Sequence, residues 1–224
     1  MLNHMNTEYL KQHLPFWEQL SREEQSLLLR HTSEARFRAG QNVYNAENQC
    51  LGIMLVKSGE LRTYILSEEG KEITLYRINS GEVCVLSASC ILDSITFDVH
   101  IDAVQDSEVL VINPAYFAVL SQQNVYAENF ALRVGMERFS EVMWAMEQIL
   151  FMSFDRRLAI FLLDETAKTG NDDLSLTQEQ IAKYMGSARE VVSRMLKYFA
   201  KEGIVEIYRG GIRIINREKL RLLI

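Results

Sequence analysis

The fold of this chain is constrained most by residues 176–214, LTQEQIAKYMGSAREVVSRMLKYFAKEGIVEIYRGGIRI. Two helical patterns lie on either side of Gly186, and the second has apolar residues at positions i, i+3, i+4 and i+7. This spacing predicts two amphipathic helices joined by a short turn, which is the helix-turn-helix arrangement. The apolar positions of the second helix are Val192, Met195, Leu196 and Phe199.

A hairpin is predicted directly after the second helix. Gly210 and Gly211 lie between two stretches of alternating apolar and polar residues, which favours a tight two-residue turn. At the other end of the segment, Thr177 and Gln180 have the T-x-x-Q spacing of a capping box and predict the start of the first helix. A helix-turn-helix followed by a hairpin is a winged helix, and we assign it to residues 151–224.

Charge is distributed unevenly along the chain. The whole protein has a net charge of −6, from 24 Lys and Arg against 30 Asp and Glu. Residues 151–224 contain 13 of the basic and 10 of the acidic residues, so the acidic excess lies in residues 1–150. This distribution predicts that only the C-terminal part of the protein binds a polyanion.

The polar face of the second helix carries side chains that can read DNA. In a helix-turn-helix the second helix enters the major groove, where arginine donates two hydrogen bonds to guanine and glutamate accepts one from cytosine. The predicted base-reading residues are Arg189, Glu190, Ser193 and Arg194. The residues predicted to contact phosphate are Thr177, Lys183, Ser187, Lys197, Lys201 and Arg209.

Two structural alternatives remain open for Glu190. It lies three residues after Ser187 and has the spacing to complete a capping box with it. It also lies four residues before Arg194, which is a favourable spacing for an ion pair along a helix.

The N-terminal part has a different pattern. Over residues 34–112, short runs rich in β-branched and aromatic residues alternate with single glycines, which predicts an antiparallel sandwich or barrel. Residues 61–78 predict two strands around a turn at 67–70, and residues 95–104 alternate as a half-buried strand should. Residues 7–30 are predicted to be helical, with Ser21 capping a helix.

After Pro114 the period becomes helical, and apolar residues follow the alternating 4-3 spacing of a heptad seam. We interpret this helix as the interface of a parallel homodimer; the alternative is that it packs on its own domain. The predicted organisation is a sensor barrel at 1–114, a dimerisation helix at 115–150 and a DNA-binding domain at 151–224. The seam residues are Leu132, Met136, Phe139, Met143, Met146 and Leu150.

These motifs resemble the Crp/Fnr family of bacterial transcription regulators over nearly the whole chain. The likeness is strongest in residues 176–214; RRLAIFLL at 156–163 resembles the first helix of the family's DNA-binding domain, and GIMLVKSGELRTY at 52–64 resembles its sensor strands. The resemblance implies an α+β fold: a cyclic-nucleotide-binding-like jelly roll, a long dimerisation helix and a winged helix that reads an inverted repeat. It also implies RNA polymerase as a partner if the protein is an activator.

The resemblance can be carried to single residues. Glu190, Ser193 and Arg194 fall where the Fnr branch has its base-reading Glu-x-x-Ser-Arg, and Arg189 with Arg194 falls where the Crp branch has two arginines. Ser193 favours the Fnr-like half-site TTGAT over TGTGA. Ala188 departs from the serine usual in the family, which puts a contact from that hydroxyl in doubt.

The family's known effectors fit this chain poorly. Gly81 and Glu82 match the first part of the cyclic AMP motif, but Phe97 and Asp98 occupy positions of its phosphate-binding Arg-Ser/Thr-Ala stretch, which argues against cyclic AMP or cyclic GMP. Three cysteines, with none before Cys50, argue against an iron–sulfur cluster, which needs four. The stretch GEVCVLSASC at 81–90 lacks histidine and argues against haem.

The effector is thus an unidentified small molecule or a redox signal. The predicted pocket contains Gly81, Glu82, Cys84, Cys90, Phe97 and Asp98. A disulfide between Cys84 and Cys90 would be a switch, and two buried thiols are the alternative that the local sequence favours, because nothing basic lies beside them. His100 between two aspartates is interpreted as part of a solvated strand face and not as a metal ligand.

The predicted function is a homodimeric, sequence-specific transcription regulator. The alternative is a signalling module whose C-terminal part docks a protein partner instead of DNA. An enzyme is not expected, because no nucleophile–base pair, phosphate loop or metal-ligand motif is present. No signal peptide or long apolar run is present, which predicts a cytoplasmic protein without a membrane partner.

Overall fold

Residues 4–45, 51–85 and 99–224 are described by the computed structural model of the protein. Their contacts divide the chain into two units, residues 1–66 with 75–142 and residues 67–74 with 143–224. Helices and antiparallel sheets occur in both units, so the predicted α+β class is confirmed. No helix of the described ranges is long and apolar enough to cross a membrane.

The first unit begins with helix α1 at His4–His13, a 3-10 turn at Trp17–Gln19 and helix α2 at Arg22–Arg30. Ser21 caps α2 as predicted: its hydroxyl accepts from the amide of Glu24, and the Glu24 carboxylate accepts from the amide of Ser21. The capping box thereby satisfies two amides at the start of α2, those of Ser21 and Glu24.

Two four-stranded antiparallel sheets follow in the described part of this unit. Their strand orders are β1-β8-β3-β6 and β2-β7-β4-β5. This arrangement confirms the antiparallel sandwich or barrel predicted from the glycine-punctuated runs. The strands are β1 Thr32–Phe37, β2 Asn42–Tyr44, β3 Ile53–Ser58, β4 Glu60–Leu66, β5 Glu72–Asn79, β6 Val83–Cys84, β7 His100–Ala103 and β8 Ser107–Ile112.

Apolar side chains from alternate strand positions fill the barrel. In β7, Ile101 and Ala103 are buried whereas His100 and Asp102 are half-buried, so the predicted alternation holds for this strand. The part of the predicted strand before residue 99 lies outside the described residues. Gly52 has a φ of +109°, and a Cβ there would overlap the carbonyl of Ile112, so only glycine lets β3 begin so close to β8.

Helix α3, Pro114–Gln123, leads into the long helix α4, Val125–Phe151. Ala127, Val134 and Arg138 of α4 are buried within the first unit. The predicted heptad seam lies on another side of α4, where its six side chains are 45–65% exposed. The seam is therefore exposed in the single chain while another face of α4 packs on the first unit, and the homodimer stays a prediction.

The second unit contains a core to which four helices contribute and a small sheet of order β10-β11-β9. The turn of the hairpin is Arg209–Gly210, because Tyr208 pairs with Gly211 and Gly210 has a φ of +90°. The predicted Gly210–Gly211 turn was thus wrong by one residue. The elements are α5 Phe154–Thr169, β9 Asp173–Leu174, α6 Gln178–Met185, α7 Arg189–Lys201, β10 Val205–Tyr208, β11 Gly211–Ile214 and α8 Arg217–Arg221.

Candidate nucleic-acid interface

The start of α6 is held by the predicted capping box. The Thr177 hydroxyl accepts from the amide of Gln180 at 3.2 Å, and the side-chain oxygen of Gln180 accepts from the amide of Thr177 at 2.8 Å. The same hydroxyl also donates to the Gln180 side chain at 2.9 Å. Thr177 is therefore a structural cap, and its additional contact with phosphate stays a prediction.

Gly186 ends α6 in the left-handed region, with a φ of +58°. Its amide donates to the carbonyl of Lys183 at 3.4 Å, and the amide of Ser187 donates to the carbonyl of Ala182 at 2.9 Å. These are the bonds that close a helix C-terminus around a glycine. They fix the turn between α6 and α7, as the sequence predicted.

Helix α7 begins one residue later than a cap at Ser187 would require. Its N-cap is Ala188, which has no side chain to accept a hydrogen bond, so the capping box proposed for Ser187 and Glu190 is wrong. Within the described ranges no ion pair joins Glu190 to Arg194. Neither structural alternative for Glu190 is observed, and its carboxylate is exposed.

The buried face of α7 determines which side chains point outward. Val192, Leu196 and Phe199 are fully buried against the core of the unit. The opposite face borders a groove of about 450 Å³. The residues that line this groove are Gln178, Arg189, Glu190, Ser193, Arg194 and Lys197.

All four predicted base-reading residues are thus together on one surface. Gln178, at the first position of α6, is an addition that sequence analysis missed. Its position in the sequence does not indicate that it lies beside the α7 residues, because only the folded turn brings the starts of the two helices together. An amide, two guanidinium groups and a carboxylate in one groove supply both donors and acceptors for base edges.

A second groove, of about 420 Å³, lies between the start of α6 and the wing, and Arg189 borders both grooves. The wing is anchored by the phenol of Tyr208, which donates to Asp173, and by Arg213, which lies 3.0 Å from Asp173 and 3.3 Å from Glu206. Arg213 is therefore neutralised. Arg209 is exposed at the hairpin turn, where a cation could reach a phosphate.

The other predicted phosphate contacts differ in their surroundings. Lys197 and Lys201 are exposed on α7, and Ser187 is half-buried in the turn. Lys183 near the end of α6 lies 3.4 Å from the carboxylate of Glu72, a residue of the hairpin that clusters with the second unit.

The predicted effector pocket is described only in part. Gly81 has a φ of +88° and immediately precedes Glu82. The Glu82 carboxylate accepts a hydrogen bond from the amide of Asn79 at 2.9 Å. Cys84 is buried inside the barrel. Cys90, Phe97 and Asp98 lie outside the described residues, so the disulfide and the altered phosphate position stay untested.

A buried arginine from α4 is the functional candidate in the barrel that sequence analysis missed. Arg138 binds both oxygens of Glu141 at 2.8–2.9 Å, lies 3.7 Å from Glu82 and lies 5.0 Å from the centre of the Tyr76 ring. Burial raises the pKa of the Tyr76 phenol well above its usual range, so Tyr76 is neutral. Arg138 lies on the side of α4 away from the seam, and this position was the sequence signal that it faces the barrel.

Of the two aspartates that flank His100, Asp98 lies outside the described residues and Asp102 is described. His100 stacks on Tyr64 with ring centres 5.2 Å apart. Asp102 accepts a hydrogen bond from Asn42 and lies 3.6 Å from Arg62. No group of three potential ligands occurs among residues 4–45, 51–85 and 99–224.

Two family models match the chain. One is described as a Crp-like helix-turn-helix domain and matches residues 156–223. The other is described as a cyclic nucleotide-binding domain and matches residues 34–124. Together they cover the surface of α7, the wing and most of the barrel.

Individual proteins are similar over most of the chain. A crystal structure of a protein described as a transcriptional regulator of the Crp/Fnr family, from Eubacterium rectale ATCC 33656, is 41% identical with a TM-score of 0.91, covering 95% of this chain and 98% of that chain. The cyclic AMP receptor protein of Thermus thermophilus is 25% identical, covering 89% of this chain and 92% of that protein. The fumarate and nitrate reduction regulatory protein of Vibrio cholerae is 24% identical, covering 81% of this chain and 74% of that protein.

Proposed function

Because the chain belongs to the Crp/Fnr family of transcription regulators, whose members are DNA-binding proteins and not enzymes, we propose that it reads an inverted-repeat operator as a homodimer under effector control. The observation that carries this proposal is the single groove shared by Arg189, Glu190, Ser193 and Arg194 on the solvent side of α7. The buried opposite face of α7 leaves these side chains no partner in the core of the unit, so they are available to base edges.

The chemistry of the groove supports a TTGAT-like half-site. TTGAT contains one guanine, so one of Arg189 and Arg194 can donate two hydrogen bonds to it, and Glu190 can accept from the cytosine paired with it. Ser193 is compatible with several bases through its hydroxyl and is the residue that distinguishes the Fnr-like motif in this chain. Lys197, Lys201 and Arg209 would supply phosphate contacts, which add affinity without sequence information.

The exposed seam of α4 supports the homodimer. Leu132, Met136 and Phe139 are 56%, 65% and 58% exposed, and such a row of large apolar side chains at heptad spacing is stabilised when a partner helix covers it. A parallel pair of α4 helices gives the dimer a twofold axis. Twofold symmetry in the protein matches an inverted repeat in the DNA.

The proposed effector is a small molecule or redox signal other than cyclic AMP. Two contacts of the described residues support this proposal: Glu82 is held by the Asn79 amide, and its carboxylate lies 3.7 Å from Arg138. Arg138 is in turn bound by both oxygens of Glu141. Two carboxylates thus already surround Arg138, which supports the proposal that its guanidinium does not bind the phosphate of a cyclic nucleotide. RNA polymerase is the further partner we propose if the regulator is an activator.

Selection of bound duplexes from a random pool tests the proposal. The purified, reduced protein should enrich an inverted repeat of TTGAT-like half-sites whose centres lie about one helical turn, roughly 34–36 Å, apart. The matched control is the Arg189→Ala/Arg194→Ala variant, which should enrich no sequence.

The same protein should bind a random duplex with an affinity that falls as salt rises. A protein that enriches no duplex and shows no salt-dependent affinity would contradict the proposal and favour a module that docks a protein partner.

A further inference from the structure

The tip of the β4–β5 hairpin packs on the end of α6. Residues 67–74 cluster with the second unit and not with the strands that carry them. The Glu72 carboxylate lies 3.4 Å from Nζ of Lys183, and the Thr74 hydroxyl donates to the carbonyl of Lys183 at 3.0 Å. Between them, Ile73 lies 3.3 Å from the point that a Cβ on Gly186 would occupy.

Three successive hairpin residues therefore engage the part of the helix-turn-helix that ends α6. The carbonyl of Lys183 accepts from the amide of Gly186 at 3.4 Å, and the Thr74 hydroxyl donates a second hydrogen bond to it. The absence of a side chain on Gly186 leaves the space in which Ile73 packs. Shape, a hydrogen bond and an ion pair all act at the same place, which distinguishes this contact from a chance approach of two charged side chains.

The charge of the hairpin tip opposes a DNA backbone. Residues 67–74, SEEGKEIT, contain three glutamates and one lysine. Lys183 is 48% exposed while paired with Glu72, so its ammonium remains within reach of a second anion. A phosphate that approached Lys183 would meet a cation already neutralised by Glu72 and would be repelled by the neighbouring carboxylates.

We infer that the β4–β5 hairpin is an internal competitor of the DNA backbone for Lys183 and lowers the affinity of the winged helix for duplex. This inference rests on the proposed function, because it requires that the second unit bind DNA with Lys183 near a phosphate. The effect acts on all sequences alike, since phosphate contacts carry no base information. Its size is modest because the Glu72–Lys183 pair is partly exposed: about twofold to fivefold in affinity.

Duplex binding by the full-length Glu72→Gln variant tests the competition. Its affinity for a random duplex and for the selected operator should rise equally, by about twofold to fivefold, and the slope of log affinity against log salt should steepen by up to about one. The matched control is Glu69→Gln, which removes the same charge from the same hairpin without touching Lys183. Thr74→Val should raise affinity in the same direction as Glu72→Gln, because it loosens the same contact.

A double-variant cycle assigns the effect to Lys183. In a Lys183→Gln background, Glu72→Gln should produce no gain in affinity. An equal gain from Glu69→Gln, or an undiminished gain in the Lys183→Gln background, would overturn the inference in favour of general charge repulsion. Unchanged affinity of Glu72→Gln would overturn it as well. Loss of duplex binding in every variant, wild type included, would instead overturn the proposed function on which it rests.

Discussion

Tyr208 occupies the space in which a side chain of Gly211 would lie, and from there its phenol donates a hydrogen bond to the carboxylate of Asp173. The sheet order β10-β11-β9 places Gly211 between the strands of the two partners. The bond therefore ties the outer strand of the hairpin to β9 across the middle strand. The absence of a side chain at Gly211 leaves the space through which Tyr208 reaches Asp173.

Gly211→Ala is expected to displace Tyr208 and break its bond to Asp173. A Cβ would overlap the end of a flexible side chain, so the ring can swing away and the loss of stability should be small. Tyr208→Phe should also lower stability, but it should have no further effect in the Gly211→Ala background. Chemical denaturation of the two single variants and the double variant measures this. Additive losses would mean that Tyr208 keeps its hydrogen bond beside the new methyl group.

The pKa of Tyr208 is predicted to report the same bond. The hydrogen bond to Asp173 raises the pKa of the Tyr208 phenol above its ordinary value of 10.0, and it lowers the pKa of Asp173, with help from Arg213, below its ordinary value of 3.8. A raised phenol pKa contributes stability that is present below pH 10.0 and is lost as the pH rises through the folded pKa. The lowered Asp173 pKa contributes stability that is present above pH 3.8 and is lost as the pH falls through the folded pKa.

Ultraviolet titration of tyrosinate measures the effect at the alkaline end. The difference between wild type and Tyr208→Phe isolates this phenol from the other eight of the nine tyrosines. In an Asp173→Asn background the same difference should titrate at lower pH than in wild type. An unchanged titration would show that Asp173 does not accept from Tyr208 in solution.

Arg194→Ala is predicted to reduce sequence discrimination. Arg194 is exposed in the groove of α7. The variant should bind the operator about 1–3 kcal/mol more weakly, because a bidentate contact to guanine is removed. Lys201→Ala, on the same helix, should weaken all duplexes by a similar factor. Fluorescence anisotropy with operator and random duplexes at one salt concentration separates the two. If Arg194→Ala leaves the ratio of the two affinities unchanged, Arg194 does not read a base.

Local signals in the sequence were sufficient for the helical framework. The capping and turn residues form their hydrogen bonds with partners only a few positions away, so these caps and turns follow from spacing alone. They are Ser21 with Glu24, Thr177 with Gln180, and Gly186. The outward face of α7 follows from the period of Val192, Leu196 and Phe199 for the same reason.

Contacts between distant residues were not predictable in this way. Tyr208 reaches Asp173 across 35 residues, and Thr74 reaches Lys183 across 109. The hairpin turn was placed one residue late because Gly210 and Gly211 are chemically identical, and only strand pairing decides which takes the positive φ. The cap at Ser187 was wrong because α7 begins at Arg189, after a residue that has no capping side chain.

Phe139→Glu is predicted to convert the proposed dimer into a monomer. Phe139 is 58% exposed on the seam, and its burial against a partner would be replaced by a buried carboxylate in both chains. Burial of one phenylalanine side chain contributes about 1.5–3 kcal/mol, and a dimer loses two of them, so the dissociation constant should rise at least about 100-fold. Light scattering after size-exclusion chromatography gives the mass. Gln148→Glu adds the same charge on another side of α4 and should remain a dimer; a monomeric control would mean that charge alone prevents association.

Phe199→Ala is predicted to unfold the winged helix first. Phe199 is fully buried between α7 and the rest of the second unit's core, and removing a buried phenyl ring costs about 3–5 kcal/mol of unfolding free energy. Tyr198→Ala is the matched control, because Tyr198 precedes it on the same helix and is 52% exposed. Hydrogen exchange should show faster exchange of the α5, α6 and α7 amides in Phe199→Ala while the strands β3 and β8 stay protected. Equal exchange in the two variants would mean that the outward face of α7 had been assigned to the wrong residues, and with it the DNA-reading surface.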